Sequence, residues 1–456
     1  MQNQPRYLPT RRLTQFVLDS RWEELPAAVR HEGVRAFLNW VGCAYGGALH
    51  PAVDNAAAAL DTLGASGQCT VLGRSKRLDP LNAAMINGLS VSVHAFDDAH
   101  LVTVAHPTAP SAAALLAYAE LHPVSGRDFL HALILSNEIQ ARVSCALAAP
   151  PASCHIGHYM TGLTGAVGVA AGIGKLMGLS EQQIGWAMGI AVIQGGGLRA
   201  SHGTMSCAFI PGNAGRNGLL AAHMAAANFT CHDDALGTTN GLLDAFGRPA
   251  NPDALTDRLG SQFECMNAEP KPYPAGCLVH ATIDACMELV RTQTFQSDDI
   301  TRIELQVHEL GLSLTGRREP QHSYDAQASI YHWAAAVLHH QRAGLYEASD
   351  ACVHDPAVIA LRERVVASVA QDLQADGARV EITLRDGRCL RASVGPCLGS
   401  TQRPMSDQQI DAKFVAQTEP MLGIERTRQL ADICWDLSSV DDVGQCASGF
   451  WGVGEP

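Results

Sequence analysis

Charge is scarce in this chain, and positive charge scarcest. Only 17% of its 456 residues are Asp, Glu, Lys or Arg, and 45 acids against 32 Lys and Arg leave a formal charge of −13. So little charge beside 47% hydrophobic residues excludes a long disordered tail and implies a large packed core. The acidic balance argues against nucleic acid and anionic membrane surfaces as partners. An anionic substrate stays open, because a few local cations reverse the field inside a cleft.

Other features are missing too. The longest apolar run, 161–174, is glycine-rich and stops at Lys175, too short to cross a bilayer. No apolar stretch follows Arg6, Arg11 and Arg12, so a signal peptide is not expected and the location expected is cytoplasmic. The 14 cysteines contain no C-x-x-C pair, which disfavours iron–sulfur and zinc sites and suits small buried hydrophobes. Gly174-Lys175 runs into Leu176, which excludes a Walker loop. An H-x-x-H at His155 and His158 lacks the glutamate of a metal hydrolase. No metal and no organic cofactor is expected.

What is present is helix after helix over about the first 265 residues. Apolar residues recur at intervals of three and four in 13–18, 27–38, 111–120 and 128–147, with Glu138 and Arg142 as an i,i+4 surface pair. Gly165, Gly168 and Gly172 form one stripe, which suits close helix packing, and Ser180 with Gln183 forms a capping box. After Met266 the pattern alternates: Ile303, Leu305, Val307 and then Val380, Ile382, Leu384, with Asp386-Gly387 turning into a strand through Leu390 and Val394. Helices are expected at 326–340 and 356–371 between them. The fold class expected is mainly α with an α+β second domain. A discontinuous helical domain (1–268 and 401–456) would be capped by a smaller α+β lid (269–400).

Chemistry concentrates in Val93 to Pro110, V-H-A-F-D-D-A-H-L-V-T-V-A-H-P-T-A-P. An imidazole that titrates near neutrality beside carboxylates is what proton transfer requires. Asp97, Asp98, His100 and His106 are the candidates. Three further segments follow: C-H-I-G-H-Y-M-T-G (Cys154 to Gly162), H-G-T-M-S-C-A-F-I-P-G-N-A-G-R-N-G (His202 to Gly218) and K-P-Y-P-A-G-C-L-V-H-A-T-I-D-A (Lys271 to Ala285). With G-C-A-Y-G-G ending at Gly47, G-K-L-M-G-L at Gly174 to Leu179 and D-A-Q-A-S-I-Y-H at Asp325 to His332, the set resembles the MmgE/PrpD family over nearly the whole chain.

That family holds 2-methylcitrate dehydratases, cis-aconitate decarboxylases and iminodisuccinate epimerases. The resemblance implies an active site between the helical domain and the lid, and a homodimer built on the helical domain. It implies a metal-independent lyase that dehydrates or decarboxylates a small citrate-like acid. An epimerase or isomerase of a dicarboxylic acid, or a small-acid binding protein that has lost its chemistry, are the alternatives. By the same resemblance His106 moves the proton, with Asp97 and Asp98 either orienting it or capping the helix. His158 matches a second catalytic histidine, although H-Y-M-T-G is one residue longer than the family's H-x-T-G, so Tyr159 competes for its place. Lys271 and His280 match substrate-facing residues, with His100, Tyr273 and Cys207 around them.

The departures are Ala95 and Ala99 beside the D-D pair, Cys207 and Ile210 where members carry Lys and His, and Cys277 where a basic residue is frequent. Fewer cations imply a substrate with one anionic group fewer than methylcitrate, unless Arg199 or Arg216 supplies the missing charge.

Overall fold

The computed structural model describes residues 9–450. Its first segment stacks α1 (Pro9–Asp19), α2 (Ala27–Gly47), α3 (Pro51–Thr62), α4 (Pro80–Ser92), α5 (Thr108–Ala119), α6 (Gly126–Ala148), α7 (Met160–Leu176), α8 (Glu181–Val192) and α9 (Ser206–Ala226). Local chemistry sets their starts. Asp79 caps α4 by accepting from the Leu81 and Asn82 amides, Ser125 caps α6, and Ser180 and Gln183 close the expected capping box on α8. On α7 the glycine stripe is a contact surface. A Cβ at Gly168 would meet the Ser136 carbonyl and one at Gly172 the Ser136 side chain, so α6 and α7 approach backbone to backbone. Among the described residues no helix is long and apolar enough to cross a membrane.

Glu138 and Arg142 pair as their spacing implies, at 2.6 Å, yet they are 0% and 1% exposed, a buried pair where a surface pair was expected. The reason is tertiary. Arg142 also donates to the carbonyls of Asp257 and Gln262, and Glu138 accepts from the Cys265 amide at 2.9 Å, so the pair holds the 254–265 loop against α6.

Two main apolar cores form, beside a small cluster of Leu25, Val29, Ile134, Phe263 and Cys265. The larger runs from Leu13 to Leu255 and takes in Ile410, Phe414, Leu430 and Val443, so the C-terminal helices 407–435 and 443–450 return to it. The smaller is built from residues between Ala275 and Cys397. The architecture is mainly helical with a smaller α+β part. After the short strands β1 (Cys69–Thr70), β2 (Arg77–Leu78), β3 (Asp98–His100) and β4 (Ala268–Pro270), the strands β5 (Ile300–Val307), β6 (Val365–Val369), β7 (Ala378–Leu384) and β8 (Cys389–Val394) form a sheet here in the order β6-β5-β7-β8, parallel only between β5 and β6. Alternate residues of β7 are buried, as the pattern of Val380, Ile382 and Leu384 implies.

Two expectations fail in this part. The helix expected over 356–371 ends at Arg362, and 365–369 is the edge strand β6. Its Val365, Val366 and Val369 suit a strand, and pairing with β5 decides the matter. The helix expected over 326–340 is two helices, 323–326 and 330–340, because the Ser329 hydroxyl caps the second by accepting from the His332 amide.

One short ladder positions the site. The strand Asp98–His100 pairs antiparallel with Ala268–Pro270, Asp98 opposite Pro270 and His100 opposite Ala268. It joins the D-D segment to the K-P-Y-P segment across more than 160 residues of chain.

Candidate active site

A cleft between the two cores encloses a cavity of about 210 Å³. Its floor comes from the helical side (Asp97, His106, Tyr159, Arg199, His202, Cys207). Lys271, Cys277, Leu314, Tyr324, Gln327 and Asp376 face it from the other side. The rim is tied across: Gln327 donates to the Val93 carbonyl at 2.7 Å, and Tyr324 meets His50 Nδ1 at 3.2 Å.

The D-D segment works by alternation. Successive residues of an extended chain face opposite ways, so Asp97 faces the cleft while Asp98 and His100 face behind it. Asp97 pairs with Lys271, both side chains 4% exposed, and lies 3.5 Å from His106 Nδ1. Burial opposes the charge on both partners. Their mutual attraction outweighs it, holding Asp97 below the usual carboxylate range and Lys271 above the usual lysine range.

The chain then turns tightly from His100 to Ala105, with Val104 at φ +54°, a conformation costly for a β-branched residue. The turn delivers His106 beside Asp97. His106 Nδ1 lies 2.7 Å from the Asp98 carbonyl, which can only accept, so Nδ1 carries the proton. No bond from Nε2 is recorded among the described residues. Burial, then the Lys271 charge, pushes His106 down to about 4. At neutral pH it is therefore an uncharged imidazole in the tautomer of a base.

Tyr159 takes the place for which His158 competed. The extra residue in H-Y-M-T-G puts Tyr159 at the N-cap of α7, its ring 5.9 Å from that of His106. Burial, then Cys207, keeps its phenol protonated far above the usual range. His158 points elsewhere, edge-on to Phe246 at 5.2 Å, and does not line the cleft.

Four other expected residues also stand behind the site. Asp98 accepts from Thr108 at 2.5 Å, and burial followed by the Asp97 charge pushes it up to about 7. His100 binds Thr103 at 2.8 Å and borders a separate recess. Tyr273 donates to Asp284 at 2.5 Å, and His280 bonds the Ala275 carbonyl at 3.1 Å, so both brace the turn that carries Lys271. Ile210 is buried under Gly162 and Gly197, whereas Cys207 does line the cleft.

Among the described residues, because Lys271 is neutralised by Asp97, the cation without a carboxylate partner in the cleft is Arg199. Burial lowers it from its ordinary value, and its Nε donates to the His158 carbonyl at 3.3 Å. Arg216 does not line the cleft. His202, pushed to about 4 by burial and Arg199, stands beside it. Lys413 is the residue that sequence reasoning missed. It comes from the C-terminal return and donates to Asn39 at 2.5 Å and to the carbonyls of Phe96 and Lys271 at 2.6 and 2.8 Å. It thereby fixes the segments carrying Asp97 and Lys271. No local motif marks it; a lysine seven residues into an ordinary helix reads as solvated.

The MmgE/PrpD N-terminal domain model matches residues 11–255, and the MmgE/PrpD C-terminal domain model matches residues 273–437. The chain belongs to the MmgE/PrpD family. It is similar to a cis-aconitate decarboxylase-like protein of Aspergillus oryzae, 26% identical over 96% of each chain. The cis-aconitate decarboxylase of Aspergillus terreus is 26% identical over 92% of this chain and 91% of its own. That of Homo sapiens is 25% identical over 80% and 78%. Within this MmgE/PrpD chain, the conjunction of Asp97, His106 and Lys271 is set by the short ladder and the turn that follows it.

Proposed function

We propose that the protein is a lyase that moves a proton next to a carboxylate of a small acid, with His106 as the base. The observation that carries this reading is the buried His106 with Nδ1 bound to the Asp98 carbonyl, beside the Asp97–Lys271 pair. Asp97 stabilises the imidazolium that forms. Tyr159, held protonated within reach of the same cavity, is the acid that returns a proton or protonates a leaving group. Arg199 holds a carboxylate, and the remaining Lys271 donors assist. The cis-aconitate decarboxylase names of the relatives support a carboxylic-acid lyase.

With Lys271 spent on Asp97, and cysteine at 207 and 277, the cleft offers one unpaired arginine among the described residues. A dicarboxylic acid suits this better than a tricarboxylate. The second reading is an epimerase, favoured by a base and an acid in one cavity, His106 and Tyr159 with ring centroids 5.9 Å apart, which suit removal of a proton and its return.

NMR in D₂O with cis-aconitate, 2-methylcitrate, citrate and iminodisuccinate distinguishes these readings. Net loss of water or CO₂ supports the lyase, and deuterium uptake without net loss supports the epimerase. His106→Gln should lower kcat by ~10²-fold or more with the melting temperature retained. Full activity in that variant would overturn the role of His106, and no reaction with any of the acids would overturn the proposal.

A further inference from the structure

We infer that His100, Cys145 and Glu264 form a binding site for one zinc-class divalent cation, behind the strand Asp98–His100 and facing away from the cleft. The three ligand atoms make a nearly equilateral triangle. His100 Nε2 lies 4.0 Å from Cys145 Sγ and 4.0 Å from the Glu264 carboxylate, which is 3.9 Å from Cys145. An ion at the centre of such a triangle sits about 2.3 Å from each atom, against zinc bond lengths of about 2.0–2.3 Å for nitrogen, oxygen and sulfur. Shortening the edges by about half an ångström gives a tetrahedral site whose fourth position water from the recess can fill.

These distances are too long for strong hydrogen bonds. Sulfur at 4.0 Å is the one hydrogen-bond partner recorded for His100 Nε2 among the described residues, although the ring is 1% exposed. The ring is already oriented for a metal. Its Nδ1 lies 2.8 Å from the Thr103 hydroxyl, which can accept the proton and leave the Nε2 lone pair facing the cluster. Charge is suitable too. On binding, Cys145 releases its thiol proton to solvent, and thiolate plus carboxylate neutralise a dication. Entry is through the adjoining recess, on which the Glu264 side chain is 23% exposed. Mixed nitrogen, sulfur and oxygen ligands suit zinc better than magnesium or calcium.

The ligands come from a strand, from α6 and from the turn just before Ala268–Pro270, so the ion would staple the ladder that aligns Asp97 with Lys271. Its role is structural and does not depend on the reaction proposed above. Sequence spacing could not reveal it, since the ligands stand 45 and 119 residues apart in the two sulfur contacts.

The test uses the full chain stripped with chelator and titrated with Zn(II), with metal content measured after gel filtration. A Co(II)-loaded sample is read for the thiolate-to-cobalt charge-transfer absorption. One equivalent bound, the charge-transfer band and a raised melting temperature are expected. Cys145→Ser and His100→Gln should abolish the band. Loss of a ligand-orienting group weakens metal sites about 10–100-fold, so these variants should lose at least ~100-fold in affinity, and Thr103→Val about 10-fold. Thr103→Val is nearly isosteric and keeps the test open if a ligand variant fails to fold. Failure of the wild type to retain one equivalent, or unchanged binding in Cys145→Ser or Thr103→Val, would overturn the inference.

Discussion

Asp97→Asn isolates what the buried Asp97–Lys271 pair contributes. The substitution keeps size and hydrogen bonding but leaves the Lys271 ammonium, 4% exposed, without its counter-charge. Asp98 cannot replace it, because that carboxylate is turned towards Thr108. Breaking one side of a buried pair costs about 3–5 kcal/mol. The lysine can limit the loss by shedding its proton. From an ordinary value of 10.5, that costs about 4 kcal/mol at pH 7.5, at 1.36 kcal/mol per pH unit.

Both routes give a loss of about 3–4 kcal/mol, or roughly 3–6 °C in melting temperature at about 2.1 cal/mol/K of unfolding entropy per residue. The pH dependence follows with its sign. In the wild type the lowered Asp97 stabilises above 3.8, and this is lost only as pH falls through its still lower folded value. The raised Lys271 stabilises below 10.5, and this is lost only as pH climbs through its higher folded value. The pair therefore adds no slope between about pH 5 and 9. In Asp97→Asn the unfolded lysine binds a proton that the folded one resists, so the deficit should shrink as pH rises. The Asp97→Asn, Lys271→Met double variant should recover to within about 1–2 kcal/mol of wild type while remaining inactive. Calorimetry from pH 6 to 9.5 checks this. A deficit below about 1 kcal/mol at pH 7.5, or one that does not shrink as pH rises, would refute the reasoning.

Asp98→Asn should stabilise where Asp97→Asn destabilises. The wild-type carboxyl is raised to about 7, so the native state loses stability as pH rises from about 4 to 7, and the variant should gain in relative stability between pH 5 and 8, by about 3 kcal/mol at most. Arg199→Met should raise KM for a dicarboxylic acid about 10–100-fold with a smaller effect on kcat, measured by steady-state kinetics. Arg142→Met should cost about 3–5 kcal/mol by leaving Glu138 buried and unpaired, and thermal melts should show this without any change in KM. Sedimentation at micromolar concentration should give a homodimer, as the family resemblance implies, and a monomer would contradict it.

The identity of most elements was legible along the chain, the strand 365–369 excepted. Three-four spacing and side-chain caps at Ser125 and Ser180 mark helices, and strict alternation at Val380, Ile382 and Leu384 marks a strand, because these preferences act over a few residues. The motif resemblance likewise pointed to Asp97, His106 and Lys271, which do meet. What packing decided lies at longer range. Sequence treats Asp97, Asp98 and His100 alike, but strand alternation sends Asp97 into the cleft and the other two behind it. The single residue added in H-Y-M-T-G exchanges Tyr159 for His158, and only the cap of α7 shows which one faces the cavity. The charge state of Lys271, the clamp by Lys413 and the burial of Glu138 with Arg142 each depend on groups more than 100 residues away. Local propensity carries no information about such partners; the desolvation and pairing that set their chemistry exist only once the two cores close on each other.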